Sequence, residues 1–307
     1  MCGFLLGLVS VAMWSTVFVI GRLLVVNYSL APVHFAWVRY AVAAPILFGV
    51  LLARGCLRPL LEDVRRPGAL AEYAVMGATG CFGMSYFQVL ALPHTQATTI
   101  TMLMATAPLF TLIVAIPLGE RITVFKTASL VLGFAGAALI AHAMKDKGRF
   151  ILPGPFPYYG EMMALLSGAC WGIYTALGKR PTARVGGLPA TAIAVLFGNL
   201  FFVLAAPAII DGGWPAWQAM VGLGFVGVGG TAVGYVTWYA ALRHVEAGKL
   251  AILQFLTPVL AYIQAWLILD EHISWLAAAG FMLVAAGVSL VFVKRNHVPA
   301  AGGQAQA

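Results

Sequence analysis

Residues 7–21 read GLVSVAMWSTVFVIG, and residues 164–178 read ALLSGACWGIYTALG. Both stretches are apolar and free of charge, and an offset of 157 aligns Leu8 with Leu165, Ser10 with Ser167, Ala12 with Ala169, Trp14 with Trp171 and Gly21 with Gly178. Pro32 and Pro189 keep that offset. Further along, an offset of 150 pairs Gly77 with Gly227, Gly80 with Gly230, Ala91 with Ala241, Leu92 with Leu242, His94 with His244 and Pro108 with Pro258. One more residue of slip pairs Glu120 with Glu271 and Gly136 with Gly287. Self-similarity sustained over nearly the whole chain marks two copies of one structural unit.

The composition says where that unit lives. Of 307 residues, 62% are hydrophobic and 9% charged, against roughly 25% charged in a soluble domain. A helix crossing about 30 Å of hydrocarbon needs about 20 apolar residues. Ten such runs are present, at 4–24, 33–53, 71–92, 98–118, 124–143, 159–177, 190–210, 219–242, 250–269 and 273–293. In lipid each run must satisfy its own backbone groups, so each reads as a helix. The expected fold is an all-α integral membrane protein of ten transmembrane helices. Five helices per copy is an odd number, so the second copy enters from the opposite side and the repeat is inverted. The expected organisation is a first repeat at 1–145, a periplasmic connector at 146–158, a second repeat at 159–297 and a disordered, Ala/Gly/Gln-rich cytoplasmic tail at 298–307. The first run has no basic n-region, is long for a signal sequence and lacks a small-residue cleavage site before Arg22, so it reads as helix 1.

The net charge of +8 is a matter of topology. With a cytoplasmic N-terminus, thirteen basic residues fall on the inner side: Arg54, Arg58, Arg65, Arg66, Arg121, Lys126, Lys179, Arg180, Arg184, Arg243, Lys249, Lys294 and Arg295. Four fall outside: Arg22, Lys145, Lys147 and Arg149. That bias puts both termini in the cytoplasm of a multi-pass protein of a bacterial inner membrane and argues against nucleic acid as a partner. The cysteines at 2, 56, 81 and 170 are scattered, with no zinc or disulfide spacing. Gly222-x-Gly224-x-x-Gly227 matches a dinucleotide fingerprint by letter but lies inside a membrane run with no preceding strand, and no phosphate-binding lysine loop is present. No cofactor, metal or ATP motor is therefore expected. Nothing in the sequence fixes the oligomeric state; a monomer is compatible with it.

Ala107-Pro108-Leu109-Phe110, Leu118-Gly119-Glu120 and Gly133-x-x-Gly136 are echoed by Thr257-Pro258-Val259, Leu269-Asp270-Glu271 and Gly287. On these motifs the chain resembles, over essentially its full length, the EamA-type branch of the drug/metabolite transporter superfamily, and within it the exporters of aromatic and other neutral amino acids. The resemblance implies a central cavity surrounded by helices 1 to 4 and 6 to 9, with helices 5 and 10 peripheral and bracing each half.

Candidate site residues follow from depth and chemistry. The ten acids lie in loops or at helix ends, so Glu120 and Glu271 read first as cap or interface residues, and a central proton-relay carboxylate is missing. Arg39 lies about two turns inside helix 2. A substrate carboxylate is one partner for it; snorkelling to headgroups or a structural tie to helix-end carbonyls is the other. Trp14 and Trp171 sit near mid-depth, where membrane tryptophans are uncommon, and read as cavity walls. Tyr86, Tyr174, Tyr235, Trp238 and Tyr239 share helices 3, 6 and 8 and suit a neutral or zwitterionic organic solute by stacking and cation-π contact. Helix-packing roles fit any one of these rings equally well. Gln88, Asn199 and Gln254 are polar groups expensive to leave unpaired, as pathway or interhelix residues. Pro108 and Pro258, read as mid-helix, are expected hinges. The glycines of helices 3 and 8 allow close helix approach.

The function these readings support is alternating-access export of a small organic solute, most of all an amino acid, by facilitated rather than tightly proton-coupled transport. The alternatives are a proton-coupled multidrug or metabolite exporter of the same fold, a channel, and an integral-membrane enzyme, for which the acids and histidines supply no catalytic constellation.

Overall fold

The computed structural model describes residues 2–28, 32–91, 94–95, 100, 103–143, 154–204, 216–269 and 274–292. Of the residues named above, Leu92, Lys145, Asp270, Glu271, Lys147, Arg149, Lys294 and Arg295, the connector up to residue 153, the tail at 298–307 and the side chain of Arg22 lie outside them. Among the described residues every regular element is helical. In order these are α1 (Cys2–Tyr28), α2 (Pro32–Ala53), α3 (Leu57–Val64), α4 (Ala69–Ala91), α5 (Ala107–Ala115), α6 (Val124–Ala143), α7 (Tyr159–Val185) and α8 (Gly187–Leu204). They are followed by α9 (Trp217–Leu242), α10 (Ala247–Ile252), α11 (Leu256–Leu269) and α12 (Trp275–Phe292). Four are long and apolar enough to cross a membrane, at Val33–Ala53, Ala69–Ala91, Gly187–Leu204 and Trp217–Leu242, with shorter apolar helices at Cys2–Val17, Val124–Ile140, Ala247–Ala261 and Trp275–Val291.

Helix ends fall within a few residues of most apolar runs, and the departures have physical causes. α7 continues through Lys179, Arg180 and Arg184 to Val185; a hydropathy window stops at those charges, whereas the backbone does not. α3 is a short helix whose Leu57, Leu60 and Val64 share one face and whose Leu60 and Asp63 are buried. It is too short and too charged to register as a membrane run.

The expectation for Pro108 and Pro258 requires correction. A helix begins at Ala107, so Pro108 stands in its first turn, where the missing N–H breaks no helical hydrogen bond. Pro258 follows a 3-10 turn at Leu253–Phe255 and stands in the first turn of α11. A turn precedes each proline, so neither stands in the middle of a helix.

α4 and α9 each contain a π-helical segment, Gly77–Gly83 and Val226–Val233. Gly80 and Gly230, matched by the repeat, are where these segments meet neighbours: a side chain at Gly80 would run into the Tyr174 ring on α7, and one at Gly230 into Val17 on α1. Tyr174 and Val17 are themselves related by the 157-residue offset.

The helices pack in reciprocal pairs. α1 lies against α9 and α11, and α7 lies against α4 and α5. α2 lies against α9, α8 against α4, and α2 and α8 touch each other. α6 packs along α12, with Gly136 against the Gly280 backbone and Gly287 against Ser129 and Gly133. Rather than each bracing its own half, α6 and α12 join the two.

Candidate functional site

The aromatic residues of α1, α2, α7 and α9 form one buried cluster. Trp14 and Trp171 meet edge to face, with ring centroids 4.9 Å apart. Trp238 lies 5.0 Å from Trp14 and 6.2 Å from Trp171, and Tyr235 lies 5.8 and 5.5 Å from the same two rings. Tyr174 extends the cluster from Trp171 at 5.2 Å to Tyr239 at 4.8 Å. These edge-to-face and tilted arrangements are the ones ring quadrupoles favour. The rings expected as walls of a cavity are packed on one another, so any solute-sized space between them requires their separation.

Their polar atoms are unevenly served. The Trp14 indole N–H donates to the Gly230 carbonyl at 3.0 Å, and the Tyr235 hydroxyl donates to the Gly80 carbonyl at 3.2 Å. Both acceptors lie in π-helical segments, which alter the usual helical hydrogen-bond ladder. Trp171 Nε1, the repeat-mate of Trp14 Nε1, is buried without a partner, as are Trp238 Nε1 and Tyr174 Oη. Tyr235 occupies the carbonyl that repeat symmetry assigns to Trp171. Buried N–H groups without acceptors are uncommon because they forfeit hydration with nothing in exchange.

Arg39 borders this cluster. Its guanidinium lies 4.7 Å from the Tyr40 ring centroid and 5.8 Å from that of Phe35. Nη2 donates to Tyr40 Oη at 3.0 Å and to Ser85 Oγ, while Nε is buried without a partner. Tyr40 Oη and Tyr235 Oη are 2.7 Å apart; because Tyr235 donates to Gly80, Tyr40 supplies the proton between them. The result is a directed chain from Arg39 through Tyr40 and Tyr235 into the aromatic cluster. Arg39 makes no ion pair with an acid among the described residues. Arg39 is only 8% exposed, so snorkelling to the surface does not describe it.

The remaining candidates separate. Tyr86 stacks on Phe82 at 5.0 Å, and Phe82 reaches Tyr40 through Phe202 at 5.0 and 5.9 Å, so among the described residues Tyr86 joins the cluster through other rings. Gln88 donates to Met104 Sδ at 3.2 Å, away from the tryptophans. Asn199 donates to the Tyr40 carbonyl and to that of Val195, both at 3.0 Å, which makes it a tie between α8 and α2. Gln254 sits in the turn before α11 with Oε1 buried and unpartnered. Tyr40 and Ser85 are the members that the reading of site residues missed: Tyr40 directly follows Arg39, and that adjacency was the available signal.

One end of the bundle has the opposite character. Glu120 Oε1 accepts from Lys179 Nζ at 3.0 Å and the Ala247 amide at 2.6 Å, and its Oε2 accepts from Lys126 Nζ at 3.3 Å and the Gly248 amide at 3.1 Å. Lys126 also pairs with Glu246 at 2.7 Å. Glu120 therefore caps the N-terminus of α10 from the other half of the chain, the cap and interface role read for it. Burial pushes its carboxyl up, but Lys179 and the two amides outweigh that and hold it below the usual glutamate range. In a second cluster, Asp63 accepts from Arg184 Nε at 2.8 Å, from Arg184 Nη2 at 3.2 Å, from Tyr73 at 2.8 Å and from Arg66 at 3.1 Å, and Arg184 also pairs with Glu72. Burial raises Asp63 while Arg184, Tyr73 and Arg66 lower it further, so it too lies below its usual range.

Helices long and apolar enough to cross a membrane, around an aromatic centre bordered by one buried arginine, mark a membrane protein. A solved crystal structure of a protein 22% identical superposes with a TM-score of 0.79 over 94% of this chain and 96% of the other, which establishes the shared fold. The chain belongs to the EamA-like transporter family, whose model matches residues 1–142 and 158–293. It is 32% identical over 92% of its length to a probable terminal-alkyne amino-acid exporter of Streptantibioticus cattleyicolor, covering 90% of that protein. It is 26% identical to an uncharacterized transporter of Archaeoglobus fulgidus, covering 87% of this chain and 90% of the relative.

Proposed function

We propose that this transporter exports amino acids, aromatic and other neutral ones foremost, by alternating access across a bacterial inner membrane. In this reading ten helices form two inverted five-helix repeats, 1–145 and 159–297, with both termini cytoplasmic. The observation that carries the proposal is the Trp14–Trp171 pair: repeat-related rings from opposite halves, 4.9 Å apart, one hydrogen-bonded and one not. Two inverted repeats around one site give two alternative packings by exchanging conformations. The opposite packing follows by exchange: Trp171 donates to Gly80 and Trp14 releases Gly230. The reciprocal helix pairing supports the same reading, and the amino-acid exporter among the relatives supports the substrate class. Trp14, Arg39, Trp171, Tyr174, Tyr235, Trp238 and Tyr239 line the opened site, with Tyr86 and Gln88 on the approach to it. Asn199 and Gln254 hold helices beside it. The turns before Pro108 and Pro258 serve as hinges, and the Glu120 and Asp63 clusters close the cytoplasmic end.

Exchange is facilitated, because the site holds no carboxylate among the described residues to carry a proton. The test is counterflow of labelled amino acids by purified protein in liposomes, with and without a pH gradient. Saturable exchange of phenylalanine, tryptophan or other neutral amino acids, unaffected by collapse of the gradient, is expected. Exchange abolished by that collapse rejects facilitated transport, and no amino-acid exchange at all rejects the substrate class.

A further inference from the structure

Arg39 is a cation inside an apolar bundle with weak company. Two neutral hydroxyls share its Nη2, Nε is buried without an acceptor, and the Tyr40 and Phe35 ring centroids lie 4.7 and 5.8 Å from the guanidinium. Buried guanidinium groups are ordinarily neutralised by a carboxylate, since separating such a charge from water without one is costly. The acids among the described residues are engaged elsewhere. Glu62 pairs with Arg58, Asp63 and Glu72 with Arg184, Glu120 and Glu246 with Lys126, and Glu161 accepts from Thr95. The same distribution has a second consequence: the aromatic cluster offers no carboxylate, among the described residues, to an ammonium group.

We infer that Arg39, with Ser85 and Tyr40, is the receptor for a substrate carboxylate, and that the substrate class is apolar or aromatic monocarboxylates for which an α-amino group is dispensable. The inference rests on the proposed transport function for its physiological direction, but the binding site stands or falls separately. A carboxylate at this edge takes Nε and displaces the two hydroxyl oxygens from Nη2, giving the side-on, two-point pairing that guanidinium groups form with carboxylates. The displaced hydroxyls are then free to donate to the same anion. Tyr235, hydrogen-bonded to Tyr40 and in ring contact with Trp14 and Trp171, places the aromatic cluster next to the anion, where an apolar body lodges. Such a site rejects organic amines, because their positive charge meets Arg39 without compensation.

The experiment measures binding of 3-phenylpropionate, phenethylamine and phenylalanine to the purified full-length protein, by equilibrium dialysis and thermal shift. Expected is saturable binding of 3-phenylpropionate and phenylalanine, with phenethylamine neither binding nor competing. Arg39→Gln weakens 3-phenylpropionate about 10- to 100-fold, the range of a lost charge-assisted pair, and Arg39→Lys weakens it less. Phenethylamine binding as tightly as 3-phenylpropionate, failure of 3-phenylpropionate to bind, or unchanged binding by Arg39→Gln overturns the inference. If Arg39→Gln does not fold, the wild-type panel alone decides. Binding through Arg39 without exchange in liposomes leaves this site standing and rejects transport, whereas amino-acid exchange that persists unchanged in Arg39→Gln keeps transport and rejects the site.

Discussion

The aromatic middle and the ion-paired end both join the two halves of the chain, and they do it with opposite chemistry. In the middle, Trp171, Trp238, Tyr174 and Arg39 each bury a polar atom that has no partner. At the end, Glu120 alone accepts four hydrogen bonds, from two lysines and two amides. A region with orphaned donors gains free energy when a third party supplies acceptors; a region whose charges are all answered gains nothing from a visitor. The difference separates a place built to receive from a place built to hold.

The comparison is tested most severely by removing one charge from each region. Lys126→Ala removes one of the two lysines on Glu120 and the nearer cation of Glu246 and should cost about 2 to 3 kcal/mol, the range of a lost hydrogen bond to a charged group, measured by chemical unfolding in detergent. Arg39→Met removes a charge that has no counter-ion, and the same measurement should show a loss below about 1 kcal/mol. Equal losses would erase the distinction between the regions. Within the middle, Trp14→Phe deletes a buried hydrogen bond and should destabilise by about 1 to 2 kcal/mol. Trp171→Phe deletes an N–H that has no partner here; stability should hardly move, while exchange in liposomes falls in both variants. Comparable unfolding curves for the two would remove the asymmetry on which the alternating reading leans.

Acid probes the end alone. Glu120 and Asp63 are held below their ordinary values of 4.5 and 3.8, so they bind protons less readily folded than unfolded. Their contribution is complete above those ordinary values and disappears as pH falls through the lower folded ones. Unfolding free energy from these two groups should therefore be flat between about pH 7 and 5 and decline only below about 4.5; a decline centred near pH 6 would point to other groups. The smallest effect is expected at the Arg58–Glu62 pair, whose side chains are 90% and 61% exposed. Arg58→Ala should change stability by less than about 0.5 kcal/mol.

Much of this architecture is legible in the sequence because lipid enforces a simple rule: a span needs a long apolar run, and the helices follow those runs closely. Trp14 and Trp171 were legible as a pair because a repeat offset is visible in letters. What the letters do not carry is which donor captures which acceptor. Tyr40 is in the same apolar run as its neighbours, and only tertiary packing puts its hydroxyl between Arg39 and Tyr235. Lys126 counts in sequence as one more inner-loop cation; in the structure it is among the most buried side chains, at 1% exposure. Pro108 was misread because an apolar run does not show where a helix breaks and restarts. α3 was readable from Leu57, Leu60 and Val64 at helical spacing, but a search tuned to 20-residue spans passes over it.

The π-helical segments carry a consequence for descent. A π turn is an α-helix with a residue to spare, and each residue of an α-helix is worth about 100° of rotation. Deleting one residue from Val226–Val233 would swing Tyr235, Trp238 and Tyr239 away from Trp14 by that angle while leaving every one of them in place in the sequence. The same surplus stands at Gly77–Gly83 in the other half. On the reading of two duplicated halves, the insertion is older than the duplication, and the ancestral five-helix protein already aimed its third helix this way.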